Sequence, residues 1–139
     1  MADKSGFESL LYRLADSWAR LDAEAAAACF TNDAVYMEPP DVQFFEGHDA
    51  LTAYFSPLTK GTYVDFHGIW FDEDSQSGAV EFSFGVRGAE TADHGVVVVG
   101  LRDGLISSWR EYPRQGPVNF SSFVAPTGKT WTWHAGNYP

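Results

Sequence analysis

Two glutamates with aromatic neighbours are the residues of this chain best suited to proton transfer. Glu38 follows Tyr36 by two positions and precedes two prolines, and Glu111 follows Trp109 by two positions. If each segment is a β-strand, each acid shares a face with an aromatic ring. Burial raises the pKa of a carboxyl group toward neutral pH, where it can act as a base or an acid. The alternatives are a solvated strand terminus for Glu38 and an outer or dimer-facing position for Glu111.

Two further ionisable residues are candidates. His94 starts a run of valines, and a histidine can serve as acid, base or polarising group near neutral pH, although it can also be a surface residue. Glu81 alternates with apolar residues on its strand, which indicates a solvated or interface acid unless the sheet curves strongly enough to give its inner face a polar position. No His-x-x-x-His, Cys-x-x-Cys or Gly-x-Gly-x-x-Gly spacing occurs, so we expect no metal and no cofactor.

Composition limits the class of partner. The chain has 139 residues, which predicts one domain, and its 19 acidic and 9 basic residues give a formal net charge of -10. Such a surface repels nucleic acid and anionic membranes. The N-terminal residues lack the pattern of a signal peptide, no long apolar run is present, and Cys29 is the sole cysteine. We therefore expect a cytoplasmic location.

The first half of the chain has the periodicity of helices. A helix over about residues 5–21 is indicated by apolar side chains at helical spacing, with Ser5 and Glu8 as a capping box. Asp22 is placed to cap a second, short helix, and a third helix is predicted to end near Pro57.

The second half has the alternation of strands. We predict strands over 61–71, 79–86, 95–101 and 105–112, and the last two are joined by an Asp-Gly hairpin turn at 103–104. Helices followed by a strand meander predict an α+β fold, in which a curved antiparallel sheet with the N-terminal helices on one face forms a cone-shaped pocket.

Aromatic side chains make up 16% of the chain. They are most simply core residues, but in a cone some of them line the pocket, which would then suit a flat, apolar small molecule. Together with Glu81, we predict as substrate-binding residues Tyr12, Trp18, Tyr36, Tyr54, Phe55, Trp70 and Trp109.

Five short segments together carry a family resemblance: residues 18–22, 30–36, 45–47, 79–82 and 103–112. In their order and spacing the chain resembles a nuclear transport factor 2-like domain of the SnoaL-like group. The resemblance implies one such domain over residues 1–139, with 113–139 as a C-terminal extension. It also implies a cone-shaped fold and a homodimer that packs through the open sheet face.

The same resemblance suggests roles for both glutamates. Glu38 falls where ketosteroid isomerases have their general-base aspartate, and Glu111 falls where limonene-type epoxide hydrolases have one of their acids. The isomerase tyrosine position holds Leu14, and its protonated aspartate falls among Val97 to Val99. The hydrolase arginine and second aspartate fall within the uncharged residues 96–100. Neither set of family partners is therefore complete.

These observations lead to two functional hypotheses. In the first, the protein is a cofactor-independent enzyme that isomerises, cyclises, dehydrates or opens the epoxide of a hydrophobic molecule. Glu38 would be the base, Glu111 or His94 would donate a proton, and Tyr36 would orient the substrate. In the second, it is a non-catalytic small-molecule-binding or dimerisation domain. Carboxyl and imidazole groups that converge in the cavity would favour the first, and glutamates in solvent would favour the second.

Overall fold

The computed structural model describes residues 1–125, so the predicted extension is described only in its first part, and Trp131 and Trp133 lie outside the described residues. The helices are α1 (Lys4–Ala19), α2 (Ala23–Ala27), α3 (His48–Phe55) and α4 (Phe120–Val124). The strands are β1 (Phe30–Met37), β2 (Phe44–Glu46), β3 (Thr62–Asp72), β4 (Ser77–Val86), β5 (Thr91–Arg102) and β6 (Leu105–Pro117). No helix in this part of the chain is long and apolar enough to cross a membrane.

The α+β fold is confirmed, but the sheet is mixed and not wholly antiparallel. Its strand order is β2-β1-β6-β5-β4-β3, and β1 runs parallel to β6 whereas the other neighbours are antiparallel. The reason is the long connection through β2 and α3, which carries the chain to the far edge before the meander returns to β1. Parallel neighbours require such a crossover.

Helix α1 covers the inner face of the sheet with the apolar stripe that its sequence predicts. Phe7, Leu11 and Leu14 have no exposed surface, and Phe7 stacks on Phe71 of β3 with 4.5 Å between ring centroids. The predicted capping box is wrong, because the side chain of Asp3 accepts a hydrogen bond from the Gly6 N–H at 2.8 Å. Aspartate is as good an N-cap as serine, so the helix begins at Lys4.

Two turns follow their sequence signals. Asp22 caps α2 by accepting a hydrogen bond from the Ala25 N–H at 3.0 Å, as predicted. Asp103 and Gly104, between β5 and β6, both have positive φ angles, of 54° and 77°. That pair of angles is what the Asp-Gly signal of a tight hairpin requires.

The last two long strands extend beyond their predicted ends. β5 begins at Thr91 and not at Gly95, and β6 continues from Tyr112 to Pro117. Asp93 and His94 are therefore strand residues on opposite faces of the sheet. The inner face, which includes Val97 and Trp109, meets the helices, whereas the outer face carries α4 at the end of β6.

Candidate functional site

A cavity of about 190 Å³ lies between the inner face of the sheet and helices α1 and α3. Its wall is mainly aromatic and aliphatic, and three carboxyl groups interrupt it. The lining residues are Trp18, Tyr36, Glu38, Tyr54, Phe55, Pro57, Leu58, Val64, Phe66, Phe82, Phe84, Asp93, Val97, Trp109 and Glu111.

Glu38 lies at the end of β1, where two interactions fix it. Its backbone N–H donates to the carbonyl oxygen of Gln43 at 3.1 Å, and its Oε1 accepts a hydrogen bond from the Tyr54 hydroxyl at 2.8 Å. Burial raises the pKa of Glu38 above its ordinary value, while the hydroxyl groups of Tyr54 and Tyr36 oppose that rise. The tyrosines thus favour a carboxylate in a wall that would otherwise favour the neutral acid.

Glu111 lies deeper, on β6, and only 7% of its surface is exposed. Its Oε1 accepts a hydrogen bond from the indole N–H of Trp109 at 3.0 Å. Burial, with the charge of Glu38 as a second cause, raises the pKa of Glu111 to about 8. At neutral pH, Glu111 is therefore mainly the protonated acid, which can donate a hydrogen bond or a proton.

The parallel pairing of β1 with β6 places the two glutamates side by side. Met37 is in register with Arg110, so the next position on each strand is Glu38 on one and Glu111 on the other. Behind them, Tyr36 stacks on Trp109 with 5.5 Å between ring centroids and an angle of 4° between the rings. The parallel pairing of β1 with β6 was not predicted from the sequence, but it brings together the two acids that were predicted as site residues.

Trp18 closes the α1 side of the cavity. Its ring stands edge-on to those of Phe55, Phe84 and Trp109, at centroid distances of 5.5, 6.0 and 5.8 Å. The indole N–H of Trp18 is buried and has no hydrogen-bond partner in the described part of the chain. Of the predicted substrate-binding residues, five line the cavity: Trp18, Tyr36, Tyr54, Phe55 and Trp109.

Asp93 is an acidic residue of the cavity that was not predicted from the sequence. It is partly exposed, lies opposite Phe84 of β4, and makes no side-chain hydrogen bond or ion pair with residues 1–125. The start of β5 was predicted at Gly95, which left Asp93 in a loop. Alternation carried back from Val97 through Gly95 would have placed it on the inner face.

The structure places His94 on the outer face, away from the cavity. Its ring is 1% exposed and packs against Phe123 of α4 at a centroid distance of 4.4 Å. Its Nε2 is 2.7 Å from the carbonyl oxygen of Pro117, and its Nδ1 is 2.6 Å from the Ser83 hydroxyl. Since neighbouring strand residues face opposite sides, Asp93 occupies the cavity and His94 does not. A role as proton donor to a substrate in this cavity does not fit that position.

Three predicted substrate-binding residues also lie outside the cavity lining. Tyr12 is 56% exposed and packs edge-on against Phe66, and Trp70 is 58% exposed. Glu81 is in register with Val96 on the outer face, so curvature does not bring it inward. Helical and strand alternation explain all three positions. Among residues 1–125, no group of three histidine, cysteine or acidic side chains is arranged to hold a metal ion.

A curved sheet closed by N-terminal helices, with carboxyl groups in an aromatic cavity, defines the cone-shaped class of nuclear transport factor 2-like domains. The family model of the SnoaL-like domain matches residues 11–109. The chain therefore belongs to the SnoaL-like domain family. A search of curated proteins found no significant match.

Solved structures with the same fold come from proteins of several kinds. A protein of unknown function with a cystatin-like fold from Methylobium petroleophilum is 18% identical, with a TM-score of 0.71 over 99% of this chain and 97% of that one. The epoxide hydrolase/cyclase-like enzyme SalBIII, which has a role in pyran ring formation in the polyether salinomycin, is 20% identical, with a TM-score of 0.73 over 84% and 99%. An LEH-like epoxide hydrolase of M. tuberculosis is 17% identical, with a TM-score of 0.66 over 81% and 86%.

Proposed function

We propose that this protein is a cofactor-independent enzyme that binds a small, largely apolar molecule in the cavity and transfers protons to and from it. One observation carries the proposal. Two neighbouring carboxyl groups in one cavity have different hydrogen-bond donors, the Tyr54 hydroxyl for Glu38 and the Trp109 indole N–H for Glu111. Two like groups whose surroundings separate their protonation states form an acid/base pair.

Glu38 is the proposed base. Its carboxylate is stabilised by the Tyr54 hydroxyl, and it lies nearer to solvent than Glu111, so it loses its proton first. It would take a proton from a carbon or hydroxyl group of the substrate. Tyr36, whose ring is fixed by stacking on Trp109, would orient the substrate beside it.

Glu111 is the proposed acid. It is protonated at neutral pH because its pKa is raised to about 8. It would donate that proton to a substrate oxygen on which negative charge develops, and the Trp109 N–H would stabilise the carboxylate that remains. Exchange with solvent restores both groups to their starting states.

This pair fits a group of related reactions. Isomerisation, ring closure, dehydration and epoxide opening all remove one proton and deliver another, and the SalBIII structure shows that a similar fold serves an epoxide hydrolase/cyclase-like enzyme. The volume of the cavity limits the size of the substrate. For comparison, an engineered cavity of about 150 Å³ holds benzene. A cavity of about 190 Å³ suits a single substituted ring, and any larger part of the substrate would extend through the opening.

The test is turnover of a panel of small cyclic enones, β,γ-unsaturated ketones and epoxy alcohols. For whichever compound reacts, Glu38→Gln and Glu111→Gln should each lower kcat by about 10²- to 10⁴-fold, since each removes one proton-transfer group. Glu90→Gln is the matched control, because Glu90 is exposed in the turn before β5. Unchanged turnover in both cavity variants would contradict the proposal.

A second candidate is a non-catalytic binding domain, which one observation favours. The imidazole that would have joined the carboxyl groups, His94, lies on the other face of the sheet. If panel compounds bind in the cavity, as changes in Trp18 and Trp109 fluorescence would report, and none is converted, this second function would account for the protein better.

A further inference from the structure

The charge of the cavity lining has one sign. Glu38, Asp93 and Glu111 contribute three carboxyl groups, and the described lining residues include no lysine, arginine or histidine. Even with Glu111 protonated, the partly buried Glu38 and Asp93 leave two acidic side chains on the wall, with no cationic side chain among the described lining residues. Partly buried charges of one sign attract an ion of the opposite sign.

The rest of the wall is mostly aromatic. Eight of the fifteen lining residues are aromatic: Trp18, Tyr36, Tyr54, Phe55, Phe66, Phe82, Phe84 and Trp109. Ring faces attract organic cations through their quadrupole, and tryptophan does so most strongly. Aromatic walls suit a weakly hydrated organic cation better than a hard metal ion such as Ca²⁺ or Mg²⁺, which is bound by oxygen ligands.

Asp93 differs from the other two acids because it lacks a donor. Glu38 accepts a hydrogen bond from Tyr54 and Glu111 accepts one from Trp109, whereas the Asp93 side chain has no such partner in the portion of the chain that is described. Its cross-strand neighbour is Phe84, whose ring is 6.0 Å from that of Trp18. An unpaired carboxylate beside aromatic rings is the arrangement that binds an ammonium group.

We infer that the substrate carries an ammonium group or another organic cation, and that this group binds between Asp93 and the rings of Phe84 and Trp18. The apolar remainder of the molecule would then extend toward Glu38 and Glu111. This inference rests on the proposed function only in placing the substrate in the same cavity, because it requires no particular reaction. Asp93 would act as a specificity residue and take no part in proton transfer.

The test compares two probes of equal shape and different charge, 4-(trimethylammonio)phenol and 4-tert-butylphenol. Each has one ring and a trimethyl head, which suits the volume of the cavity. Binding at pH 6.5, where both phenols are protonated, would be followed by calorimetry and by the fluorescence of Trp18 and Trp109, which line the cavity. The cation should bind at least about tenfold more tightly than the neutral probe.

The Asp93→Asn variant should bind the cation about fivefold or more weakly than the unmodified chain does. Its affinity for the neutral probe should stay the same, so most of the preference for the cation should be lost. Asp65→Asn is the matched control, because Asp65 is an exposed acid in register with Ser83 on the outer face. Melting temperatures would verify folding, and Asp93→Ser would serve as a second variant if Asp93→Asn were unstable.

Two outcomes would overturn the inference: equal or tighter binding of the neutral probe, or no binding of the cation up to millimolar concentration. A cation preference that survives Asp93→Asn would overturn the role of Asp93. Since these measurements involve no turnover, they remain distinct from the kinetic test of Glu38 and Glu111.

Discussion

Glu38 and Glu111 are the same side chain in two different surroundings, and that difference is the basis of the proposed chemistry. A phenol hydroxyl donates to one and an indole N–H to the other. Glu38 is closer to solvent, whereas Glu111 is nine-tenths buried and feels the charge of Glu38. Deprotonation of Glu38 therefore raises the pKa of Glu111, and the two carboxyl groups titrate together.

The pH dependence of kcat/KM should be bell-shaped. Activity rises with pH as Glu38 loses its proton, because the base must be ionised, and it falls through pH 8 as Glu111, whose pKa is about 8, loses the proton that it must donate. Initial rates between pH 4.5 and 9.5 would measure both limbs. A profile with no decrease between pH 7 and 9 would contradict the assignment of Glu111 as the acid.

The Tyr54→Phe substitution should shift the rising limb of that profile to higher pH by about one unit. The Tyr54 hydroxyl stabilises the Glu38 carboxylate at 2.8 Å, and a hydrogen bond to a charged group contributes about 1.5–3 kcal/mol. Removing it raises the pKa of the base, and the falling limb should move less. Tyr112→Phe is the control, because Tyr112 is exposed on the outer face. An equal displacement in both variants would argue against the contact.

Burial of Glu111 also predicts a stability effect with a definite sign. The folded carboxyl has a pKa of about 8 and the ordinary value is 4.5, so between these values the folded state holds a proton that the unfolded state has released. Stability therefore falls as pH rises through this window. Glu111→Gln should raise the free energy of unfolding at pH 8 by about 1 kcal/mol or more and change it little at pH 4.5. Urea denaturation at both pH values would measure it, and a loss of stability at pH 8 would contradict the prediction.

At the scale of elements, strand alternation explains which site residues could be predicted. Tyr36 and Glu38, like Trp109 and Glu111, are two positions apart, so each pair shares a face if its segment is a strand. Alternation shows only which residues share a face. Which face is the inner one depends on where α1 packs, and for this reason Glu81 could not be excluded from sequence.

The ends of β5 and the neighbour of β1 could not be predicted for different physical reasons. The residues before Gly95 include Asp93, Ala92 and Thr91, and aspartate and alanine are uncommon in strands, but pairing with β4 and β6 overrides that preference. The parallel contact of β1 with β6 joins segments more than seventy positions apart, and no local pattern encodes it. The proximity of Glu38 to Glu111 depends on this long-range pairing.

The outer face holds a directed hydrogen-bond chain that should stabilise the docking of α4. A carbonyl oxygen can only accept, so His94 donates from Nε2 to Pro117, and in the neutral ring its Nδ1 then accepts from the Ser83 hydroxyl. Ser83 in turn accepts from Nε2 of His67 at 2.6 Å, and the His67 ring stacks on Phe120 at 3.5 Å. Ser83 thus links two histidines that both contact α4.

The Ser83→Ala substitution should lower the free energy of unfolding by about 1–3 kcal/mol, because it leaves Nδ1 of the buried His94 without a donor. Ser121→Ala is the matched control, since Ser121 is exposed on α4 and its side chain makes no hydrogen bond within residues 1–125. Thermal and urea unfolding would measure both variants. If Ser83→Ala is as stable as the unmodified protein, the hydrogen bonds of Ser83 do not stabilise the docking of α4.

At the scale of the whole molecule, the net charge of the chain and the charge of the cavity lining are both negative. The chain has a formal net charge of -10, and the described cavity lining adds carboxyl groups without a basic side chain. A negative field around a negative cavity attracts cations and repels anions over a distance set by ionic strength. Binding of a cationic ligand should therefore weaken as salt increases, whereas binding of its neutral analogue should not.

The outer face of the sheet supports the expectation of a homodimer, which remains a prediction. Val96 and Tyr112 are cross-strand neighbours on this face, 39% and 51% exposed, and a half-covered apolar sheet face is commonly an interface. Size-exclusion chromatography with light scattering at micromolar concentration should give about twice the chain mass of 15.4 kDa.

Tyr112→Lys should shift the protein to the monomer, because it buries an unpaired charge in the interface. Val42→Lys should not, since Val42 lies in the loop between β1 and β2. A monomeric mass for the unmodified chain would contradict the dimer, and a dimer that persists in Tyr112→Lys would place the contact on another face.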